Sequence, residues 1–195
     1  MIRYREHKIV ITPIGDVPAG LTDRIGSEIE RVFGFESEIL SLISETDLPV
    51  DAARGQVHST PVLEILSSLA PSRALKVLAV TRADLFIPIL TYVFGEAQLG
   101  GKACILSTHR LKDPPFPTTA EETFRCRVAK EAVHELGHTF NLRHCPEQTC
   151  IMHYCRSLRD VDRKSSRLCH YCTVLLADEI KRLEETVTST EGRSR

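Results

Sequence analysis

The segment from residue 134 to residue 144, HELGHTFNLRH, restricts what this chain can fold into more than any other feature. Residues four apart share one face of an α-helix, so a helix here lets His134 and His138 bind one metal ion. His144 can join them only if the helix ends and the chain turns back. Asn141 stands where that break is needed, and Asn tolerates left-handed backbone dihedrals. The spacing therefore predicts a helix, a turn and a three-histidine metal site.

The chemistry of such a site is that of a hydrolase. Three neutral imidazoles leave one coordination position of a zinc ion open to water, which is expected to ionise near neutral pH. Glu135 lies about 100° round the helix from the first ligand. We expect it to act as the general base, taking a proton from the attacking water and passing it to the leaving amine. Incidental histidines on a helix, and a metal site without catalysis, are the alternatives.

A second group of potential metal ligands follows directly in the sequence. Five of the seven cysteines lie within 28 residues: Cys145, Cys150, Cys155, Cys169 and Cys172. The pairs C-x4-C (145 and 150) and C-x2-C (169 and 172) have a spacing typical of a structural zinc site with four thiolate ligands. Two disulfides are one alternative, and replacement of one thiolate by His153, His170 or Cys155 is another. The segment between the pairs has little periodicity, so we expect a loop organised by the metal.

Hydrophobic patterning of the rest predicts an α/β domain with a mixed sheet. Strands are predicted at 8–15, at 74–81 and within 99–108, whereas Pro88 makes 84–95 an irregular or edge element. Helices are predicted at 18–34, 60–69, 118–142 and 172–185. Thr60 and Pro61 would begin the second of these helices, and Thr118, Thr119 and Glu122 would form a capping box for the third. Strands alternate with helices at first and then follow one another, which favours a mixed sheet.

Length and composition limit the class of protein. A chain of 195 residues suits one domain with a small subdomain, and we expect an N-terminal α/β subdomain over 1–144 and a C-terminal one over 145–195. Hydrophobic residues make up 42% and charged residues 26%, which excludes a disordered or fibrous chain. Lys and Arg total 25 against 26 Asp and Glu, for a net charge of -1. This balance provides no global field for a nucleic acid or an anionic membrane.

The sequence also bears on the location of the protein and on its partners. No apolar run approaches the roughly 20 residues that cross a bilayer, and charges in the first eight residues are unlike a signal peptide. We therefore expect a cytoplasmic protein that binds neither nucleic acid nor membrane. The predicted hydrolytic site, and not the composition, is what indicates a peptide or protein substrate. The sequence leaves the oligomeric state open and favours a monomer. A zinc-binding module that docks a protein partner, without catalysis, is the alternative function.

The sequence HELGHTFNLRHC, followed by CIM and CHYC, resembles the archaemetzincins, a family of metzincin zinc peptidases. Metzincins carry the three histidines, the glutamate, a glycine at the turn and a methionine in a tight turn beneath the metal. Met152, the only internal methionine, is in the corresponding place, whereas Asn141 replaces the usual glycine. Residues 94–111 are similar to the part of metzincins that supplies the edge strand against which a peptide is laid.

The resemblance implies a metzincin-like zincin fold, with a mixed twisted sheet, a long active-site helix and a small cysteine-rich, zinc-bound C-terminal subdomain. It also implies peptidase activity and two zinc ions per chain. One would be catalytic, on His134, His138 and His144, and the other would be structural, on the four paired cysteines. Some metzincins carry a tyrosine two residues after the methionine that reaches the zinc or the oxyanion. Tyr154 is in that position here, and simple packing of its ring is the alternative.

Overall fold

A computed structural model describes residues 7–18, 20–112 and 121–191, with side chains through 185. Eight strands and five α-helices occur in these ranges. Their order is β1 (Lys8–Ile14), α1 (Leu21–Phe33), β2 (Ser37–Ile39), β3 (Val50–Asp51), β4 (Gln56–His58), α2 (Ser59–Leu69), β5 (Ala74–Thr81), β6 (Leu85–Phe86), β7 (Gly95–Ala97), β8 (Ala103–Ser107), α3 (Glu121–Thr139), α4 (Leu158–Arg163) and α5 (His170–Glu191).

The main sheet has the strand order β2-β1-β5-β8-β7. The first four strands are mutually parallel, and β7 pairs antiparallel with β8 at the edge. The predicted mixed sheet is therefore confirmed. The two central strands, β1 and β5, pair over their whole length and are covered on both faces, which explains why their sequences are almost continuously apolar.

Helices cover both faces of this sheet. On one face, α1 and α3 pack together over a core that also takes in residues of the C-terminal segment, including Met152 and Leu176. On the other face, α2 packs over a second core shared with a small sheet of order β3-β4-β6, which the sequence did not predict. Helix α3 lies beside the edge strand β7, and the candidate site lies between these two elements and the segment that follows α3.

Several boundaries differ from the predicted ones. Helix α2 begins at Ser59 with His58 as its N-cap, so Thr60 is not the cap; the hydroxyls of Ser59 and Thr60 donate to the carboxylate of Glu96 instead. The predicted loop contains α4, which has its own capping box. Helix α5 continues to Glu191, beyond the predicted end. The predicted capping box of α3 falls partly on residues 118–120, outside the described residues. In the described ranges, no helix combines the length and the hydrophobicity needed to span a membrane.

Candidate metal centres

Helix α3 carries the first two predicted metal ligands on the face that it does not use for the core. Its apolar stripe, predicted from the helical spacing, is buried at every position: Phe124, Val128, Ala132, Leu136 and Phe140. Burying this stripe against α1 and the sheet turns the side chains of His134 and His138 towards β7 and the segment that follows the helix. The orientation of both imidazoles therefore results from the burial of the opposite, apolar side of the helix against the core.

The three predicted histidines converge. One ring nitrogen from each of His134, His138 and His144 lies within 4.8 Å of those of the other two. The Nε2 atoms of His134 and His138 are 3.2 Å apart, close to the roughly 3.3 Å between two ligands of a tetrahedral zinc ion at 2.0–2.1 Å. The His144 ring stacks on that of His134 with centroids 5.4 Å apart. This donor set and spacing fit zinc.

A Schellman turn at the end of α3 brings His144 back to the other two histidines. Asn141 adopts φ 61, the left-handed conformation that the spacing required. The amide N–H of Leu142 donates to the carbonyl of Gly137 at 3.0 Å, and that of Asn141 donates to His138 O at 2.9 Å. Asn in place of the family's usual glycine therefore still produces the turn.

Backbone carbonyls orient both helical imidazoles. His134 Nδ1 donates to Ile151 O at 2.9 Å, and His138 Nδ1 donates to Leu142 O at 2.7 Å. Because a carbonyl can only accept, each Nδ1 carries the proton and each Nε2 keeps a lone pair for a metal. Burial also keeps the rings neutral: it lowers the pKa of His138 to about 4 and the pKa of His134 well below its usual range.

Glu135 lies beside the histidine centre, with only 5% of its surface exposed. Burial raises the pKa of its carboxyl group well above the usual range, repulsion from Glu131 adds to this, and Lys164 acts in the opposite direction. A dication at the imidazoles would likewise favour the ionised form. The side chain of Glu135 packs against Gly95 of β7: a Cβ atom added to this glycine would lie 2.6 Å from Glu135 Cγ.

The four paired cysteines form the second centre. Cys145, Cys150, Cys169 and Cys172 each present Sγ within 4.8 Å of the others. Cys145 Sγ and Cys169 Sγ are 3.7 Å apart, close to the roughly 3.8 Å expected between thiolates bound to one tetrahedral zinc at 2.3 Å. Backbone N–H groups donate to two of the sulfurs, from Cys169 to Cys150 Sγ and from Cys172 to Cys169 Sγ. The thiols fit a structural zinc site.

Among the described residues, the cysteine group that could hold a metal ion consists of these four cysteines, and two of the three possible replacement ligands have other surroundings. His153 Nδ1 is hydrogen-bonded to Cys145 O at 2.9 Å. Cys155 lies in the wall of the cleft described below. The 3.7 Å sulfur separation is also well beyond the roughly 2.05 Å of a disulfide bond.

Met152 and Tyr154 contact different parts of the histidine centre. Met152 is fully buried, and its sulfur occupies the space that a side chain on Gly137 would need. Gly137 therefore lets the turn that carries Met152 approach the helix closely, at a position between the two histidines that α3 contributes. Tyr154 is 40% exposed, and its ring centroid is 4.9 Å from that of His144. The tyrosine ring is thus in contact with the third histidine, on the solvent side.

A cleft of about 720 Å³ runs over the histidine centre. One wall is β7 with the apolar segment before it, and the other contains the histidines, Tyr154 and Arg156. Because β7 is the last strand of the sheet, its outer edge can pair with an extended peptide. The cleft therefore offers a peptide both backbone hydrogen bonds and access to the metal site.

Two features of the site were not found from the sequence. One is Gly95, whose missing side chain makes room for Glu135. The other is a buried ion pair, in which Lys164 Nζ lies 2.7 Å from Glu131 Oε1 with both side chains almost fully enclosed. A buried charge on the helix one turn before His134 was the only available signal for this pair. Its partner is too distant in the sequence to be inferred.

The α/β fold, the three-histidine centre beside an edge strand and the adjoining cysteine centre define a zinc metallopeptidase of the metzincin type. The family model of peptidase family M54 matches residues 54–178. The chain is 37% identical over 172 residues to archaemetzincin from Halobacterium salinarum, an alignment that covers 85% of this chain and 96% of that protein. It is 36% identical over 173 residues to the archaemetzincin of Methanopyrus kandleri, covering 86% and 94%. The chain belongs to peptidase family M54.

Solved structures agree with this assignment. The crystal structure of archaemetzincin from Methanopyrus kandleri superposes with a TM-score of 0.80 at 33% identity, covering 93% of this chain and 99% of that one. Archaemetzincin from Archaeoglobus fulgidus, solved in complex with malonate, gives a TM-score of 0.73 at 34% identity, with coverage of 86% and 99%. The metzincin-like fold and the zinc peptidase activity inferred from the sequence are thereby confirmed, and the chain acts on peptide or protein substrates.

Proposed function

We propose that the chain hydrolyses peptide bonds with a catalytic zinc on His134, His138 and His144 and with Glu135 as the general base. The observation that carries this proposal is the convergence of three imidazole nitrogens within 4.8 Å, with Glu135 next to them in the cleft. When bound there, zinc supplies Lewis acidity towards a carbonyl oxygen and lowers the pKa of water.

The residues of the chain transfer the proton, hold the substrate and orient the histidines. Glu135 accepts the proton of the attacking water and delivers it to the nitrogen of the leaving amine, which neutralises that group as the C–N bond breaks. The outer edge of β7 holds the substrate backbone extended over the histidines. The carbonyls behind His134 and His138 hold both rings in place throughout.

A second, structural zinc ion belongs to the same proposal, so we expect two zinc ions per chain. The thiols of Cys145, Cys150, Cys169 and Cys172 would hold it, and its binding free energy would stabilise the segment that carries Met152 and Tyr154. That segment, together with α5, would form the C-terminal subdomain over 145–195.

Replacement of the proposed base tests the function. Glu135→Ala should retain the zinc content of the wild-type protein and lower kcat on an internally quenched peptide by roughly 10²- to 10⁴-fold. Glu64→Ala removes an exposed glutamate on α2 and should leave both properties unchanged. Wild-type turnover in Glu135→Ala would exclude the assigned role, and a zinc-loaded wild-type protein that cleaves no peptide in a degenerate library would exclude the activity.

Tyr154 is proposed to assist the reaction from the solvent side of His144, where its hydroxyl can donate to a developing oxyanion. Tyr154→Phe keeps the ring and removes only the hydroxyl. We expect kcat to fall by roughly 10²-fold with little change in KM. An unchanged kcat would mean that the ring only packs against His144.

A further inference from the structure

The two ends of the cleft are distinguished by contacts at either end of β7. Just beyond the C-terminal end of the strand, the amide of Gly100 donates to His138 O at 2.9 Å. Before its N-terminal end, the hydroxyl of Tyr92 donates to Arg156 O at 3.0 Å. A peptide that pairs antiparallel with β7 therefore places the residues after its scissile bond towards Tyr92 and Arg156.

Arg156 presents a guanidinium group at this end of the cleft. Its backbone is held on both sides, because its carbonyl accepts from Tyr92 and its amide donates to Asp160 Oδ2 at 3.1 Å. Its side chain is exposed, and Cζ lies 5.7 Å from the centroid of the Tyr154 ring, which in turn contacts His144. The guanidinium is thus separated from the ring of His144 by the contacts of 5.7 Å and 4.9 Å that the Tyr154 ring makes with the two side chains. An extended peptide covers such a distance in about three residues.

The carboxylates around the cleft do not pair with this guanidinium. Of the three glutamates that line the cleft, Glu96 accepts from Ser59 and Thr60, Glu131 faces Lys164, and Glu135 packs against Gly95. Within the described residues, no carboxylate forms an ion pair with Arg156. The contrast is Arg110, which stacks on Tyr92 at the same end but is held by Asp84 through two hydrogen bonds of 2.7 and 2.6 Å.

We propose that Arg156 binds a carboxylate of the substrate within three residues on the C-terminal side of the scissile bond, so that the enzyme prefers acidic peptides. The inference rests on the proposed function, since it needs a peptide along β7. A carboxylate and a guanidinium match in charge and in fork geometry, and the ring of Tyr154 supports the guanidinium from one side. The carboxylate is either an acidic side chain or the free C-terminus of a short peptide.

A set of quenched peptides separates these two sources. All share one sequence with an acetylated N-terminus, and they carry Asn, or a single Asp at the first, second or third position after the bond that mass spectrometry identifies as cleaved. The C-termini of these peptides are amidated. One further Asn peptide ends at the third position after the cleaved bond and has a free C-terminal carboxylate. For the wild-type enzyme we expect kcat/KM to be roughly tenfold higher for at least one carboxylate peptide than for its neutral counterpart.

Variants then assign this preference to one residue. Arg156→Gln keeps part of the side-chain stem without the charge and should bring the ratio of kcat/KM values close to one, whereas Arg156→Lys should keep part of it. Arg159→Ala removes an exposed arginine of α4 that does not line the cleft, and it should keep the wild-type ratio. A wild-type enzyme indifferent to all the carboxylates, or an Arg156→Gln variant that keeps the ratio, would overturn the proposal.

A binding measurement tests the role of Arg156 independently of the proposed peptidase mechanism, because it needs no hydrolysis. The same peptides, labelled for fluorescence anisotropy, are titrated into zinc-loaded Glu135→Ala and into Glu135→Ala/Arg156→Gln. We expect the carboxylate peptides to bind roughly tenfold more tightly only when Arg156 is present, with the difference falling as salt increases. Equal affinities in the two proteins would contradict the role of Arg156, even if the wild-type enzyme cleaves peptides.

Discussion

Two glycines next to the histidine centre are important because they have no side chain. Gly95 leaves space for Glu135, and Gly137 leaves space for the sulfur of Met152. In both places a glycine allows two parts of the chain that are distant in sequence to meet at the histidine centre. At Gly95 the neighbours are Glu135 and the backbone carbonyl of Ile105, 2.6 Å from an added Cβ. We therefore expect Gly95 to set the position of the proposed base.

A double-mutant cycle tests this position. Gly95→Ala should destabilise the zinc-loaded protein by about 1–3 kcal/mol, the usual cost of overpacking, and should lower kcat because Glu135 must move. In the Glu135→Ala background, the same substitution should cost less, because only the contact with Ile105 O remains. The measurement is denaturant unfolding of the four proteins. Additive free energies would show that Gly95 and Glu135 do not interact.

At the scale of elements, the end of α3 and its packing on α4 decide whether the three proposed metal ligands can meet. The Schellman turn reverses the chain after His138, and Leu142 supplies both the turn's closing amide and the carbonyl that orients the ring of His138. The buried pair of Lys164 and Glu131 joins the loop after α4 to α3, one turn before His134. The turn positions the segment that begins at Leu142 relative to α3, and the ion pair positions the end of α4 relative to the same helix.

Asn141 offers a direct test of the turn. Asn141→Gly should keep peptide hydrolysis and raise the free energy of unfolding by up to about 1 kcal/mol, since glycine adopts positive φ without steric cost. Asn141→Val should lower it by about 1–2 kcal/mol and weaken zinc binding at the histidines. Unfolding curves and competition with a zinc chelator measure the two effects. Weaker zinc binding in Asn141→Gly would indicate that the Asn side chain itself supports the site.

The buried ion pair gives a second test at this scale. Lys164→Met leaves Glu131 as an uncompensated buried charge, and we expect a loss of about 3–5 kcal/mol in the free energy of unfolding. Adding Glu131→Gln removes that charge and should restore a large part of the loss. Both variants are compared with the wild type by chemical unfolding at fixed zinc concentration. Equal destabilisation in the single and double variants would mean that the effect is one of packing.

On the scale of the whole molecule, the two centres should respond differently to metal removal. The histidine centre borders an open cleft, whereas three of the four cysteines are buried. A chelator at moderate concentration should remove one zinc ion per chain and abolish hydrolysis, while the second ion should stay until the protein unfolds. Metal analysis, activity and circular dichroism follow the process. Simultaneous loss of both ions would contradict separate catalytic and structural roles.

Much of the metal chemistry could be predicted because it is local. The separation of four between His134 and His138, and the short cysteine spacings, restrict geometry within one or two turns of chain. The strand order and the small second sheet could not be predicted, because pairing between distant strands leaves no signature in either strand alone. For the same reason the start of α2 was misplaced: Thr60 donates its hydroxyl to Glu96, which lies on another strand.

The amino-acid sequence alone indicated the family to which the chain belongs and the histidine and cysteine side chains proposed to bind zinc, because both depend on motifs of short spacing along the chain. Only the tertiary structure decided what surrounds those atoms: the edge strand, the close approach of Gly95 to Glu135, the enclosed Lys164 and the guanidinium of Arg156 at one end of the cleft. These features arise where segments distant in sequence pack together, and burial there sets the charge and space that a substrate meets.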